Sequence, residues 1–119
     1  MTQTVLVADD EAMVANVAKA FLEHAGYEVL VAKDGHETLQ LFQTNQDQVS
    51  VLMIDYSMPD MDGLACIQEI RKTSKVPAIL ITGYGDSVPE GCKEAGLFQA
   101  FLAKPFNMKT LEEALQKVI

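Results

Sequence analysis

Residues Val51-Leu52-Met53-Ile54 form an unbroken apolar run that stops at a carboxylate, Asp55, and the loop Tyr56-Ser57-Met58-Pro59-Asp60-Met61-Asp62-Gly63 comes next. Successive side chains of a strand point to opposite faces, so an apolar run without alternation belongs to a strand covered on both sides. Such strands build parallel sheets flanked by helices, and the Pro, Asp and Gly beyond the run leave Asp55 at the strand's carboxyl end. Open α/β sheets keep their chemistry at that edge. Taken alone, an Asp in this position is more simply the cap of a turn. The remaining strands change that balance.

Val5-Leu6-Val7-Ala8 is a second apolar run, ending at Asp9-Asp10-Glu11. Val14, Val17, Ala18, Phe21, Leu22 and Ala25 then fall on one helical stripe, which Gly26 terminates. Tyr27 to Ala32 reads as a strand, and Asp34 with Glu37 three residues on forms a capping-box pattern for a helix reaching about Phe42. After Gly63, Leu64, Ile67 and Ile70 mark a helix that ends at Arg71-Lys72. Ala78-Ile79-Leu80-Ile81 is a strand stopping at Thr82, and Val88, Cys92 and Ala95 predict a short fourth helix closed by Gly96. Phe98 to Ala103 predicts a fifth strand that ends at Lys104-Pro105. Asn107 caps a last helix carrying Met108, Leu111, Leu115 and Val118 on one side. Five strands alternating with five helices predict one doubly wound α/β domain over residues 1–119, its sheet parallel.

A chain of this length buries enough surface to fold without a disulfide or a structural metal. Cys66 and Cys92 sit in helical patterns without metal-ligand spacing and read as buried thiols, while His24 and His36 read as surface residues. The formal charge of −8 and the lack of a basic cluster argue against direct nucleic-acid binding. No segment approaches a membrane span, and Met1-Thr2-Gln3-Thr4 lacks the basic start of a signal peptide, so a cytoplasmic protein without membrane insertion is expected.

A parallel sheet collects its strand ends on one edge, which brings Asp9, Asp10, Asp55, Thr82 and Lys104 together. Clustered carboxylates repel one another until protonation or a cation offsets them. An all-oxygen ligand set without His or Cys favours Mg²⁺, which prefers few carboxylates plus a phosphate oxygen. The groups suit phosphoryl transfer: Asp55 as nucleophile, the cation and Lys104 neutralising phosphoryl oxygens, and the Thr82 hydroxyl donating a hydrogen bond. Individually each has a plainer reading, the acidic doublet as a solvated helix start, Thr82 as a cap, Lys104 as a surface turn. Their joint placement carries the argument.

With Val7-Ala8-Asp9-Asp10-Glu11, Ile54-Asp55 through Gly63, Ile81-Thr82-Gly83 and Ala103-Lys104-Pro105-Phe106, essentially the whole chain resembles the receiver domain of two-component response regulators. The resemblance implies a flavodoxin-like strand order of 2-1-3-4-5 and a signalling switch that catalyses only its own phosphorylation and dephosphorylation. It implies Asp55 as the phosphoacceptor, charged from a phosphohistidine on a sensor histidine kinase or histidine phosphotransfer domain. It further implies Mg²⁺ on Asp10, Asp55 and the Ser57 carbonyl, with Asp9 acting through water, and a cis Lys104–Pro105 bond. Thr82 and Phe101 would form the switch, altering the surface of the fourth helix, fifth strand and fifth helix for a downstream protein or a fused effector or kinase domain. Phe101 lacks the hydroxyl of the Tyr often found there, so its inward state would rest on packing. Tyr84, two residues after Thr82, would flank the path of a hydrolytic water and exclude it by bulk. Stand-alone regulators and receivers within hybrid kinases or larger regulators fit the resemblance equally. An Asp-dependent phosphatase would show an Asp-x-Asp pattern after the first strand, which Asp9-Asp10-Glu11 lacks. A flavin carrier would not place three acids against a phosphate, and a degenerate, phosphorylation-free module would not keep Asp10, Asp55, Thr82 and Lys104 together.

Overall fold

The computed structural model describes residues 3–119. Its elements run β1 Thr4–Ala8, α1 Ala12–His24, β2 Glu28–Ala32, α2 Gly35–Thr44, β3 Val49–Asp55, α3 Gly63–Arg71, β4 Ala78–Thr82, β5 Ala100–Ala103 and α4 Met108–Val118. All five strands are parallel, in the order β2-β1-β3-β4-β5. This is the expected doubly wound, flavodoxin-like sheet. Leu6, Leu52, Ile54 and Leu80 pack on the side covered by α2 and α3, with Phe42, Ile67 and Ile70. Val5, Val7, Val51, Met53, Ile79 and Ile81 pack on the other side against Leu22, Leu111 and Leu115 of α1 and α4. The unbroken apolar runs are therefore explained by two cores sharing one sheet.

Local chemistry sets the helix ends. Asp34 accepts from the Glu37 N–H at 2.8 Å, and Asp62 from the Ala65 N–H at 2.7 Å. Asn107 and Thr110 close a reciprocal capping box. At α2 the expected box is displaced, because the Glu37 carboxylate accepts from the Lys33 N–H, one residue before the cap. Gly63 opens α3 hard against the end of β3: a Cβ there would collide with the Asp55 carbonyl oxygen.

Two expectations are corrected. The buried stripe of α1 is Ala15, Ala18 and Leu22, while Val17 and Ala25 face outward. The helix is turned about its axis so that smaller alanines meet the sheet. The predicted fourth helix over Val88, Cys92 and Ala95 is absent, and turns join β4 to β5. Gly91 lies at φ +86 in the middle of that stretch and Gly85 and Gly96 at +88 and +84, left-handed geometry that no right-handed helix contains. Pro89 also removes a backbone donor. Three hydrogen bonds, from Ala95, Gly96 and Leu97 N–H to the carbonyls of Gly91, Lys93 and Cys92, are its residue of helical order. Among the described residues the helices thus number four. Cys92 is half-buried in the turns, Cys66 fully buried in α3, where burial pushes its thiol up to about 12. Among the described residues no helix is long and apolar enough to cross a membrane.

Candidate functional site

Strand register assembles the site. Ala8 of β1 pairs with Ile54 of β3, Asp55 with Ile81 of β4, and Thr82 with Ala103 of β5, so the next residues form a row along one edge. Backbone bonds extend the ladders past the strand ends, from Asp9 N–H to the Ala32 carbonyl (3.0 Å), Tyr56 N–H to Ile81 (2.8 Å) and Lys104 N–H to Thr82 (2.7 Å). Side-chain alternation then selects a face. Val5 and Val7, Val51 and Met53, and Ala100 and Leu102 point toward α1 and α4, and the same parity continues to Asp9, Asp55 and Lys104.

Those three side chains meet. Lys104 Nζ lies 3.1 Å from Asp55 Oδ2, 3.1 Å from Asp9 Oδ2 and 3.2 Å from Glu11 Oε1. The Asp9 and Asp55 carboxylates are shielded from solvent, whereas Glu11 is exposed. The Lys104–Pro105 peptide bond is cis, as the resemblance implied. Asp9 Oδ1 accepts from the Glu11 N–H at 2.9 Å, and Asp55 Oδ1 from the Ser57 N–H at 3.3 Å. Burial, reinforced by the Asp9 charge, pushes the Asp55 carboxyl up to about 6 against the opposing pull of Lys104 and the Ser57 N–H. Burial works against the Lys104 charge, but Asp55 and Asp9 hold its pKa above the ordinary lysine value.

A cavity of about 720 Å³ opens above Asp55. Asp10, Ser57, Gly83, Asp86 and Lys104 supply its polar wall, and Met13, Val14, Val17, Tyr84 and Phe106 an apolar rim. Asp10 and Ser57 are therefore at the site, although Asp10 is exposed and stands outside the tightest carboxylate group, Asp9, Glu11 and Asp55, whose oxygens lie within 4.8 Å of one another. Thr82 ends β4 half-buried. Phe101 points outward, 47% exposed, its ring edge-on to Phe98 at 4.8 Å. Tyr84 is fully exposed at the rim.

Three participants were not singled out from sequence. Glu11 enters through its contact with Lys104, a pairing across 93 residues. Asp86 binds the Gly83 N–H and the Ser57 hydroxyl. Asp60 accepts from the Gly35 and His36 N–H groups and contacts the His36 ring, tying the loop after β3 to the start of α2. Only the acidic loop Asp9-Asp10-Glu11 held a signal for one of them.

The residues present fit a divalent cation. Asp9 Oδ2 is buried and accepts no well-directed hydrogen bond, its cationic neighbour Lys104, at 3.1 Å, being shared with two further carboxylates. The donors are all oxygen, which suits Mg²⁺.

A 2-1-3-4-5 parallel sheet whose carboxyl edge joins a β3 aspartate, a β1 acid cluster and a β5 lysine defines a CheY-like receiver. The comparisons agree: the family described as "Response regulator receiver domain" matches residues 5–116, and this chain belongs to it. "Probable transcriptional regulator ycf27" of Guillardia theta is 38% identical over 120 residues, covering 98% of this chain and 45% of that protein. "Response regulator RR06" of Streptococcus pneumoniae is 31% identical over 115 residues, 97% of this chain and 52% of that one. The chain spans about half the length of these curated relatives. Among solved structures, a receiver domain protein from Clostridium thermocellum is similar with a TM-score of 0.89 at 31% identity, over 98% of this chain and 94% of that one. The chemotaxis response regulator CheY4 of Vibrio cholerae gives 0.84 at 30% over all of both chains.

Proposed function

We propose that residues 1–119 act as one receiver domain in which Asp55 accepts a phosphoryl group from a phosphohistidine of a sensor histidine kinase or histidine phosphotransfer domain. The observation that carries this reading is the buried Asp55 carboxylate facing an open cavity with Lys104 Nζ 3.1 Å from its Oδ2. An Asp55 carboxylate oxygen attacks phosphorus, the phosphorus–nitrogen bond breaks, and the imidazole leaves with the electron pair. The new bond is an acyl phosphate.

Asp9, Asp10, Asp55 and the Ser57 carbonyl would hold Mg²⁺, which supplies positive charge for the phosphoryl oxygens and offsets the acid cluster. Lys104 neutralises a further oxygen from the side where it already meets Asp55. Its ammonium is kept in place beforehand by Asp9 and Glu11. The Thr82 hydroxyl donates to the phosphoryl group, and the outward Phe101 ring turns in as Thr82 moves, changing the surface of β5, α4 and the turns before β5. A downstream protein or a fused effector or kinase domain reads that surface, in the cytoplasm. The domain makes and breaks only its own phosphate, with Tyr84 at the rim restricting water.

The test is incubation with acetyl phosphate and Mg²⁺. Wild type should gain a single base-labile phosphate, measured by mass, and Asp55→Asn none. A phosphate retained in Asp55→Asn would overturn the assignment.

A further inference from the structure

Asp86 bridges the loops that follow β3 and β4. Its Oδ2 accepts from the Gly83 N–H at 2.7 Å, the residue after Thr82, and its Oδ1 from the Ser57 hydroxyl at 3.2 Å, two residues after Asp55. Ser57 in turn donates its N–H to Asp55 Oδ1 at 3.3 Å. A continuous path therefore runs from the nucleophile through Ser57 and Asp86 to the loop after β4. Gly83 stands between the two charged side chains: a Cβ there would lie 3.8 Å from Asp86 Oδ2 and 4.0 Å from Lys104 Cδ. Asp86 and Asp55 line the same cavity.

We propose that the Asp86 carboxylate is a resting-state latch that occupies the Gly83 N–H and Ser57 hydroxyl until the phosphoryl group on Asp55 displaces it. This rests on the phosphoacceptor reading of Asp55. A phosphoryl group brings nearly two negative charges and three acceptor oxygens into the cavity. It repels the Asp86 carboxylate, which swings away and leaves the Gly83 N–H and the Ser57 hydroxyl without that acceptor. Release of Asp86 frees the adjoining turn segment, whose glycines at positions 85, 91 and 96 hold left-handed geometry. That segment is otherwise tied at its start by the Tyr56 hydroxyl donating to the Ser87 carbonyl at 3.2 Å. Asp86 is a positioning residue, acting through Ser57 and Gly83.

The experiment tracks amide exchange and the Gly83 amide resonance by NMR in wild type, Asp86→Ala and Asp86→Asn, with and without acetyl phosphate and Mg²⁺, phosphate on Asp55 being measured in parallel by mass. Without phosphodonor, Asp86→Ala should exchange the Gly83 amide about tenfold faster than wild type, the loss of one hydrogen bond. Asp86→Asn keeps an acceptor oxygen for Gly83 but no charge, so it should retain resting protection and show a smaller phosphate-induced rise than wild type. Phosphate on Asp55 with unchanged Gly83 exchange in wild type overturns the latch and leaves the phosphoacceptor reading standing. So does equal resting exchange in wild type and Asp86→Ala. Absence of phosphate from wild type Asp55 overturns both.

Discussion

Among the described residues Lys104 is the single cation against three acids at the strand ends, and two of those acids are shielded from solvent. Removing one partner of a buried ion pair costs more than the pair contributes, since the survivors keep their desolvation. Lys104→Met should therefore lower stability in metal-free buffer by about 3 kcal/mol, read by urea denaturation, with Mg²⁺ restoring part of the loss. Asp55 has the opposite sign. Its folded pKa, about 6, lies above the ordinary 3.8, so the folded state holds an extra proton between those values. Its contribution to stability is complete below about pH 4 and is lost as pH rises to about 6. Asp55→Asn should then melt higher than wild type at pH 7 in EDTA, by a margin that shrinks toward pH 4. Equal melting at pH 7 would refute the burial argument. For Asp60, burial is outweighed by hydrogen bonds from the Gly35 N–H and from the His36 ring and N–H, which hold its carboxyl well below the usual carboxylate range. Asp60→Ala should cost about 1–2 kcal/mol by leaving two N–H groups of α2 without that acceptor, measured by thermal or urea unfolding at pH 7.

At the scale of elements, two glycines have unlike roles. Gly63 is in ordinary geometry but starts α3 in contact with the Asp55 backbone, so Gly63→Ala must push α3 from β3 or bend the loop after Asp55. We expect a loss of at least about 2 kcal/mol together with slower phosphorylation, read in one preparation by denaturation and by phosphate uptake. Gly91 has open space around a would-be Cβ yet lies at φ +86. Gly91→Ala therefore meets conformational cost alone, about 1 kcal/mol, and shifts the turn segment toward the helix that Val88, Cys92 and Ala95 predict. Helix nucleation is costly and a stripe of three apolar residues is short, so three glycines and a proline suffice to hold the segment in turns. Periodicity alone registers the stripe and misses the backbone that opposes it.

Over the whole molecule, stability and function share one electrostatic feature, an acid cluster at the rim of a sheet with two cores. Mg²⁺ bound to the folded state alone should raise the unfolding free energy by about 2.7 kcal/mol at a concentration 100 times its dissociation constant, and Asp9→Asn should reduce that gain. Titration of thermal unfolding with MgCl₂, against NaCl at equal ionic strength, measures it. The sheet, its cores and the gathering of Asp9, Asp55 and Lys104 at the edge where Thr82 ends β4 were legible from the amino-acid order, because strand ends are set by apolar runs and parallel strands share an edge. Register and side-chain parity then chose which acids touch Lys104, excluding Asp10 from the tightest group and admitting Glu11. The Asp86 bridge and the unwound segment came from tertiary structure alone. Hydrogen bonds between loops distant in sequence, and left-handed glycines, leave no periodic trace along a chain.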